Sequence, residues 1–215
     1  MSCYEWEQGT IKIPADQWSS FKKSLTETYN KKQQWRYKKA LEVYEQLMVD
    51  SKGKRKYDFG SKIRELVCVY NSGLDYPDQY DDYRSIERAL LPVNKSGKPK
   101  KPKAKDFPAN TNRSDTFPPY ITINNKNRTV TWYVEENNRA VDSARGTYMG
   151  VAFFKLLDSV NWKRGSGGKI VGNDEYNQED RDTGGGGNYV TAQYPKPTGF
   201  SDKYTMSYSG GKVYA

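Results

Sequence analysis

Apolar side chains recur at helical spacing through the first half of the chain and at alternate positions through much of the second. One layer of secondary structure cannot satisfy both periods, so the chain must combine helices with sheet. Trp18, Phe21, Leu25 and Thr28 share one helical face, and Tyr37, Leu41, Tyr44 and Met48 share another. The register changes near Asn30, which predicts two helices or one bent helix over about 15–50. Ile63, Leu66, Val67 and Tyr70 predict a helix over 61–70, ended by Asn71-Ser72-Gly73. A short helix follows over 84–90, after a Tyr/Asp loop at 76–83, and Thr10–Ile13 reads as a short strand.

In the second half, Ile121 and Ile123 alternate, as do Val130, Trp132 and Val134, which predicts a hairpin turning at Asn124–Asn127. A largely apolar stretch predicts a buried helix over 139–159, capped by Asn137 or Asn138. Its main stripe is Val141, Ala144, Tyr148, Ala152 and Leu156, widened by Met149, Phe153, Leu157 and Val160. Further strands are expected at 161–164, 169–172, 188–194 and 204–208, the first two joined by Gly165–Gly168. The expected class is α+β, with a helical N-terminal half and an antiparallel sheet with one buried helix in the C-terminal half. Three regions follow: 1–93, mostly helical with a short strand; 94–119, a basic Pro/Lys-rich linker or long loop; and 120–215, the sheet and its helix.

Mean hydropathy is −0.99 and only 35% of residues are hydrophobic, yet 14% are aromatic, with 18 Tyr and 5 Trp. Disordered chains are poor in aromatics, so a folded chain with a largely aromatic core is expected. Cys3 and Cys68 make no disulfide framework and no CxxC pair. The opening residues lack a basic and apolar leader, and no apolar run has bilayer length, which predicts a cytoplasmic protein without membrane attachment.

Histidine is absent. That excludes Ser-His-Asp and Cys-His triads, imidazole metal sites and histidine acid–base chemistry, and it favours a binding role over an enzymatic one. The net charge of +9 is concentrated in two blocks. Residues 14–60 carry 11 Lys and Arg against 6 Asp and Glu, and residues 93–116 carry 7 against 2. The residues expected to meet nucleic-acid phosphates are Lys52, Lys54, Arg55 and Lys56 in the first block, and Lys98, Lys100, Lys101, Lys103 and Lys105 in the second. Such contacts position a polyanion without reading its sequence. Trp35-Arg36-Tyr37 also interleaves rings with charge, although helical geometry turns part of this pattern toward a core.

Gly165-Ser166-Gly167-Gly168-Lys169 only superficially resembles a phosphate loop. Lys163 stands where the first glycine belongs, and Ile170 where Ser or Thr must bind magnesium. A hairpin turn is the favoured reading, with Lys163, Arg164 and Lys169 as candidate anion contacts. Asp174, Glu175, Asp180 and Asp182 offer oxygen donors for a divalent cation, but the run lacks the mid-loop glycine and terminal glutamate of an EF-hand, so a solvated loop is preferred. Four consecutive glycines at 184–187, including Gly185 and Gly186, read first as a flexible loop and second as a partner surface. No motif calls for a cofactor. The leading expectation is a basic, non-enzymatic nucleic-acid-binding protein. The alternatives are a protein-interaction or inhibitor module of the kind that phages and plasmids encode, and a carboxylate- and metal-dependent nuclease.

Overall fold

The computed structural model describes residues 4–71, 78–91, 98–110, 116–118, 120–137, 144–174 and 189–201. The expected strand at 204–208 lies outside them. The fold is α+β, with helices in the N-terminal half and an antiparallel sheet built mainly by the C-terminal half. Two compact units are present, one comprising 1–28 and 110–208, the other 29–109 and 209–215.

The first unit is built on a six-stranded sheet: β1 (Tyr4–Lys12), β2 (Thr116–Phe117), β3 (Ile121–Asn124), β4 (Thr129–Asn137), β5 (Gly167–Asp174) and β6 (Tyr189–Tyr194). Their spatial order is β2-β3-β4-β1-β5-β6, and every pairing is antiparallel. The expected hairpin is β3–β4. The N-terminal strand is longer than the expected Thr10–Ile13 and lies at the centre of the sheet, paired with β4 on one side and β5 on the other.

Glu7, Gly9 and Ile11 share the buried face of β1 with their partners Val134, Trp132 and Val130. Gly9 is required by close approach, because a Cβ there would fall 2.7 Å from the Ile170 Cα on β5. On the opposite face, Thr10 Oγ1 hydrogen-bonds Thr131 Oγ1 at 3.2 Å, and Tyr133 is exposed.

A helix, here α4 (Tyr148–Asp158), covers the buried face. Trp132 stacks on Phe153 at 5.5 Å between ring centroids and meets Phe154 and Tyr120 edge-on at 5.1 and 5.0 Å. Such pairs add to the area they bury. Residues 144–146, within the expected helix over 139–159, are also helical, and the helix is interrupted at Thr147; residues 138–143 lie outside the described ones. The N-cap of α4 is Thr147, whose hydroxyl accepts from the Gly150 N–H at 2.9 Å, while Asn137 still belongs to β4. The Thr147 hydroxyl also donates to the Ala144 carbonyl at 2.7 Å and shares a 2.6 Å hydrogen bond with the Tyr120 hydroxyl. Met149, Val151, Phe153, Phe154 and Leu157 form its buried face, whereas Tyr148, Ala152 and Leu156 of the expected main stripe are half-buried.

Residues 161–164, expected as a strand, have no ladder partner among the described residues. Asn161 is held by the Gln17 side chain, which accepts from its N–H at 2.9 Å and donates to its carbonyl at 2.7 Å. These side-chain bonds replace a strand neighbour.

The long helices of the N-terminal half are α1 (Trp18–Asp50), α2 (Phe59–Asn71) and α3 (Asp78–Leu90), and all but the first turns of α1 belong to the second unit. The change of register near Asn30 does not break α1, which is one continuous helix. Ala40, Val43 and Leu47 are its fully buried positions beyond that point, and Leu41, Tyr44 and Met48 lie beside them. Residues 78–83, expected in a loop, open α3; an acidic run at a helix start suits the positive end of the helix dipole.

Candidate nucleic-acid interface

The first basic segment owes its position to the end of α1. The Ser51 N–H still bonds the Leu47 carbonyl at 3.0 Å, and Gly53 then turns the chain with φ of +76°, a conformation that favours glycine. Lys52, Lys54, Arg55 and Lys56 follow one another around this turn, all exposed.

On its far side, Asp58 fixes the start of α2. Its carboxylate accepts from the Ser61 N–H at 3.1 Å and the Ser61 hydroxyl at 2.6 Å. These bonds, the hydroxyl's first, hold the Asp58 carboxyl below its ordinary pKa. A carboxylate with a lowered folded-state pKa contributes stability above the unfolded-state pKa and loses it as pH falls through the folded-state value. We therefore expect the first turn of α2 to fray as pH drops through and below the usual carboxylate range. Hydrogen exchange at Ser61 and Lys62 should accelerate, relative to intrinsic rates, in the wild type but be insensitive to that pH change in Asp58→Ala.

Tyr57 ties the turn to the helix. Its ring meets Phe59 edge-on at 4.8 Å, and the Lys54 ammonium lies 5.1 Å from its centroid. Burial, and then the Asp50 carboxylate, push the Tyr57 phenol above its ordinary pKa. Its hydroxyl has no hydrogen-bond partner among the described residues.

The second basic segment lies along the same unit. Pro99, Pro102 and Phe107 are buried, and the Phe107 ring packs 6.2 Å from Tyr37. The Lys100 N–H bonds the Leu90 carbonyl at 3.4 Å. Between these anchors, residues 104–106 form a single 3-10 turn, closed by the Lys103 N–H donating to the Asp106 carboxylate at 2.8 Å. The prolines therefore act here as apolar anchors, and Lys98, Lys100, Lys101, Lys103 and Lys105, before, between and after them, are exposed.

The two segments meet in one cleft of about 700 Å³. Lys52, Lys54, Arg55 and Lys56 line it together with Lys98, and Tyr57 and Phe59 supply its rings. Among the described residues no carboxylate lines it. Five positive groups in one concavity focus potential on a passing anion more strongly than the same charges dispersed. Lys100 lines a different cavity, and Lys101, Lys103 and Lys105 line neither. Trp35 is 7% exposed and belongs to the core, so it is no stacking platform.

The other sequence candidates are placed separately. Lys163 is ion-paired with Asp16 at 2.5 Å, and this hydrogen bond is the main reason the Asp16 carboxyl is held below its ordinary pKa. Arg164 is exposed in the turn beside it, and Lys169 projects from the exposed face of β5, opposite Thr10 and Gln193. Asp174 ends β5, while Glu175, Asp180, Asp182, Gly185 and Gly186 lie outside the described residues. Among the described residues no three Asp, Glu or Cys side chains gather as a metal-ligand set. No described helix is long and apolar enough to cross a membrane.

Sequence reasoning missed one charged cluster. Glu7 and Arg145 form an ion pair inside the first unit, with side-chain exposures of 0% and 3%. The Arg145 Nη2 donates to Glu7 Oε1 at 2.6 Å and to Thr191 Oγ1 at 3.2 Å, and the Trp132 indole donates to Glu7 Oε2 at 2.7 Å. The guanidinium also lies 4.2 Å from the Phe154 centroid. Glutamate at an inward position of a strand carries no apolar signal, so periodicity hides it.

No protein-family model matches the chain, and no match to it is found among curated proteins or solved structures.

Proposed function

We propose that this protein binds nucleic acid through its phosphates, using the cleft between the turn at 52–56 and Lys98, with little reading of base sequence. The observation that carries the reading is the convergence of cations from two basic blocks, Lys52–Lys56 and Lys98, on a cleft whose described lining holds no carboxylate. Lysine and arginine side chains on phosphate oxygens release condensed counterions, and the gain does not depend on which bases are present. The described cleft lining contains no Asn, Gln, Asp or Glu, which are among the side chains that read adenine and cytosine edges. Its two rings are packed against each other, which favours backbone contact over base stacking. Lys101, Lys103 and Lys105 extend the positive surface along the second segment.

The test is a salt titration of binding to duplex DNA, single-stranded DNA and RNA of several sequences. The expected result is an affinity that varies little with sequence and falls linearly in log–log form as salt rises. Absence of binding at low salt overturns the reading.

A further inference from the structure

We propose that the open face of the six-stranded sheet is a platform for single-stranded nucleic acid, on which bases stack against Tyr133 and Trp6 while phosphates meet Lys12 and Lys169. The platform belongs to the first unit and uses none of the cleft residues, so it does not rest on the cleft reading. Strand register places its side chains. Trp6, Gln8, Thr10 and Lys12 stand on the face of β1 opposite Glu7, Gly9 and Ile11. Tyr133 of β4 and Val171 of β5 flank Gln8, and Thr131 and Lys169 flank Thr10. Thr122 and Gln193 continue the Thr10 row onto β3 and β6. Gln8, Thr10, Thr122, Tyr133 and Lys169 are exposed.

A sheet face turned to water is ordinarily polar. This one also carries rings. Tyr133 is 48% exposed, and among the described residues only one other large hydrophobic side chain, Val49, is exposed. Half-buried Trp6 is the diagonal neighbour of Tyr133 across the β1–β4 pair, a separation that aromatic side chains span. Two neighbouring rings offer π-faces to successive bases, and stacking accepts any base. Bases inside a duplex already stack on one another, so only an unpaired strand can use these rings.

Charge fixes where the backbone runs. Lys12 and Lys169 are diagonal neighbours across the β1–β5 pair, both exposed and neither ion-paired among the described residues. Glu135 is the single carboxylate among the described residues of this face, and it stands opposite Trp6, at the ring end. Phosphates are therefore drawn to the lysine end, which leaves the bases over the rings. Between the two ends lie the Gln8 amide and the Thr10 and Thr131 hydroxyls, which bond each other at 3.2 Å. These groups supply hydrogen bonds to sugars and base edges.

The experiment is fluorescence anisotropy of the full chain with a single-stranded oligothymidylate, an abasic strand of the same length, and duplex DNA. The two single strands carry the same phosphates and differ only in their bases. The oligothymidylate should bind about tenfold more tightly than the abasic strand at the same salt. Tyr133→Ala should remove that preference and Tyr133→Phe should keep it, with duplex and abasic binding unchanged in both. Lys12→Gln with Lys169→Gln should lower the salt slope on the oligothymidylate by about 1.4 units and leave the duplex slope intact. These side chains are exposed, and circular dichroism checks that the variants fold. Equal binding of the oligothymidylate and the abasic strand overturns the platform and leaves the cleft reading standing. A base preference that survives Tyr133→Ala also overturns it, because the stacking then lies on other rings. A base preference lost in Tyr133→Ala, without any binding of duplex or abasic strand, upholds the platform and removes the cleft reading. Absence of binding to every strand at low salt overturns both.

Discussion

Glu7→Ala is expected to destabilise the sheet unit by about 3–5 kcal/mol, the loss typical of breaking a buried ion pair from one side. The alanine leaves the Arg145 guanidinium without its carboxylate in a site only 3% exposed, and it takes the acceptor from the Trp132 indole. Desolvating an arginine without a counter-charge costs more than the pair contributes when intact. Since whole-domain stabilities are commonly about 5–15 kcal/mol, this single change should remove much of the margin. Denaturant unfolding checks it: the midpoint should fall with little change in slope. The double variant Glu7→Met with Arg145→Met should be more stable than either single variant, because it removes both charges together. A Glu7→Ala variant within about 1 kcal/mol of the wild type would show that the pair is not buried as described.

The second large effect concerns binding. Replacing Lys52, Lys54, Arg55, Lys56 and Lys98 with glutamine should flatten the salt dependence. If each cation meets one phosphate, the log–log slope on duplex DNA should lose about 4.5 units. That share alone corresponds to a wild-type affinity loss of about 500-fold between 50 and 200 mM salt, which the variant should not show. Stability should change little, since these side chains are exposed. Replacing Lys163, Arg164 and Lys169 instead should leave the slope intact, because Lys163 is engaged with Asp16. An unchanged slope in the five-residue variant would move the interface elsewhere.

The legible parts of this fold are those where one periodicity acts alone. The β3–β4 hairpin could be read because Ile121, Ile123, Val130, Trp132 and Val134 alternate without exception. The helices α1 and α2 and the second half of α3 were also readable, but the centre of the buried face of α1 beyond Asn30 falls at Ala40, Val43 and Leu47, beside the bulkier Leu41, Tyr44 and Met48. The first half of β1 was hidden, since a charged Glu7 and a bare Gly9 occupy its inward positions. Both are explained only by distant partners, Arg145 for one and Ile170 for the other. The start of α4 was set by Thr147 and its contact with Tyr120, which spacing does not encode. The basic residues were visible as sequence blocks. Their meeting was not, because it depends on Pro99, Pro102 and Phe107 holding the second block against the helices.

The position of β1 bears on how the molecule assembles. Its neighbours begin only at Thr129 and Gly167, so its two edges are satisfied only once more than a hundred further residues, through β4 and then β5, have been made. Pairings of such long sequence separation are slow to form. A truncated chain beginning after Lys12 would present two unzipped margins at the middle of the sheet, facing each other across one strand's width. A synthetic peptide of residues 1–12 supplied in trans has the sequence to fill that slot, making the protein a natural candidate for split-fragment complementation.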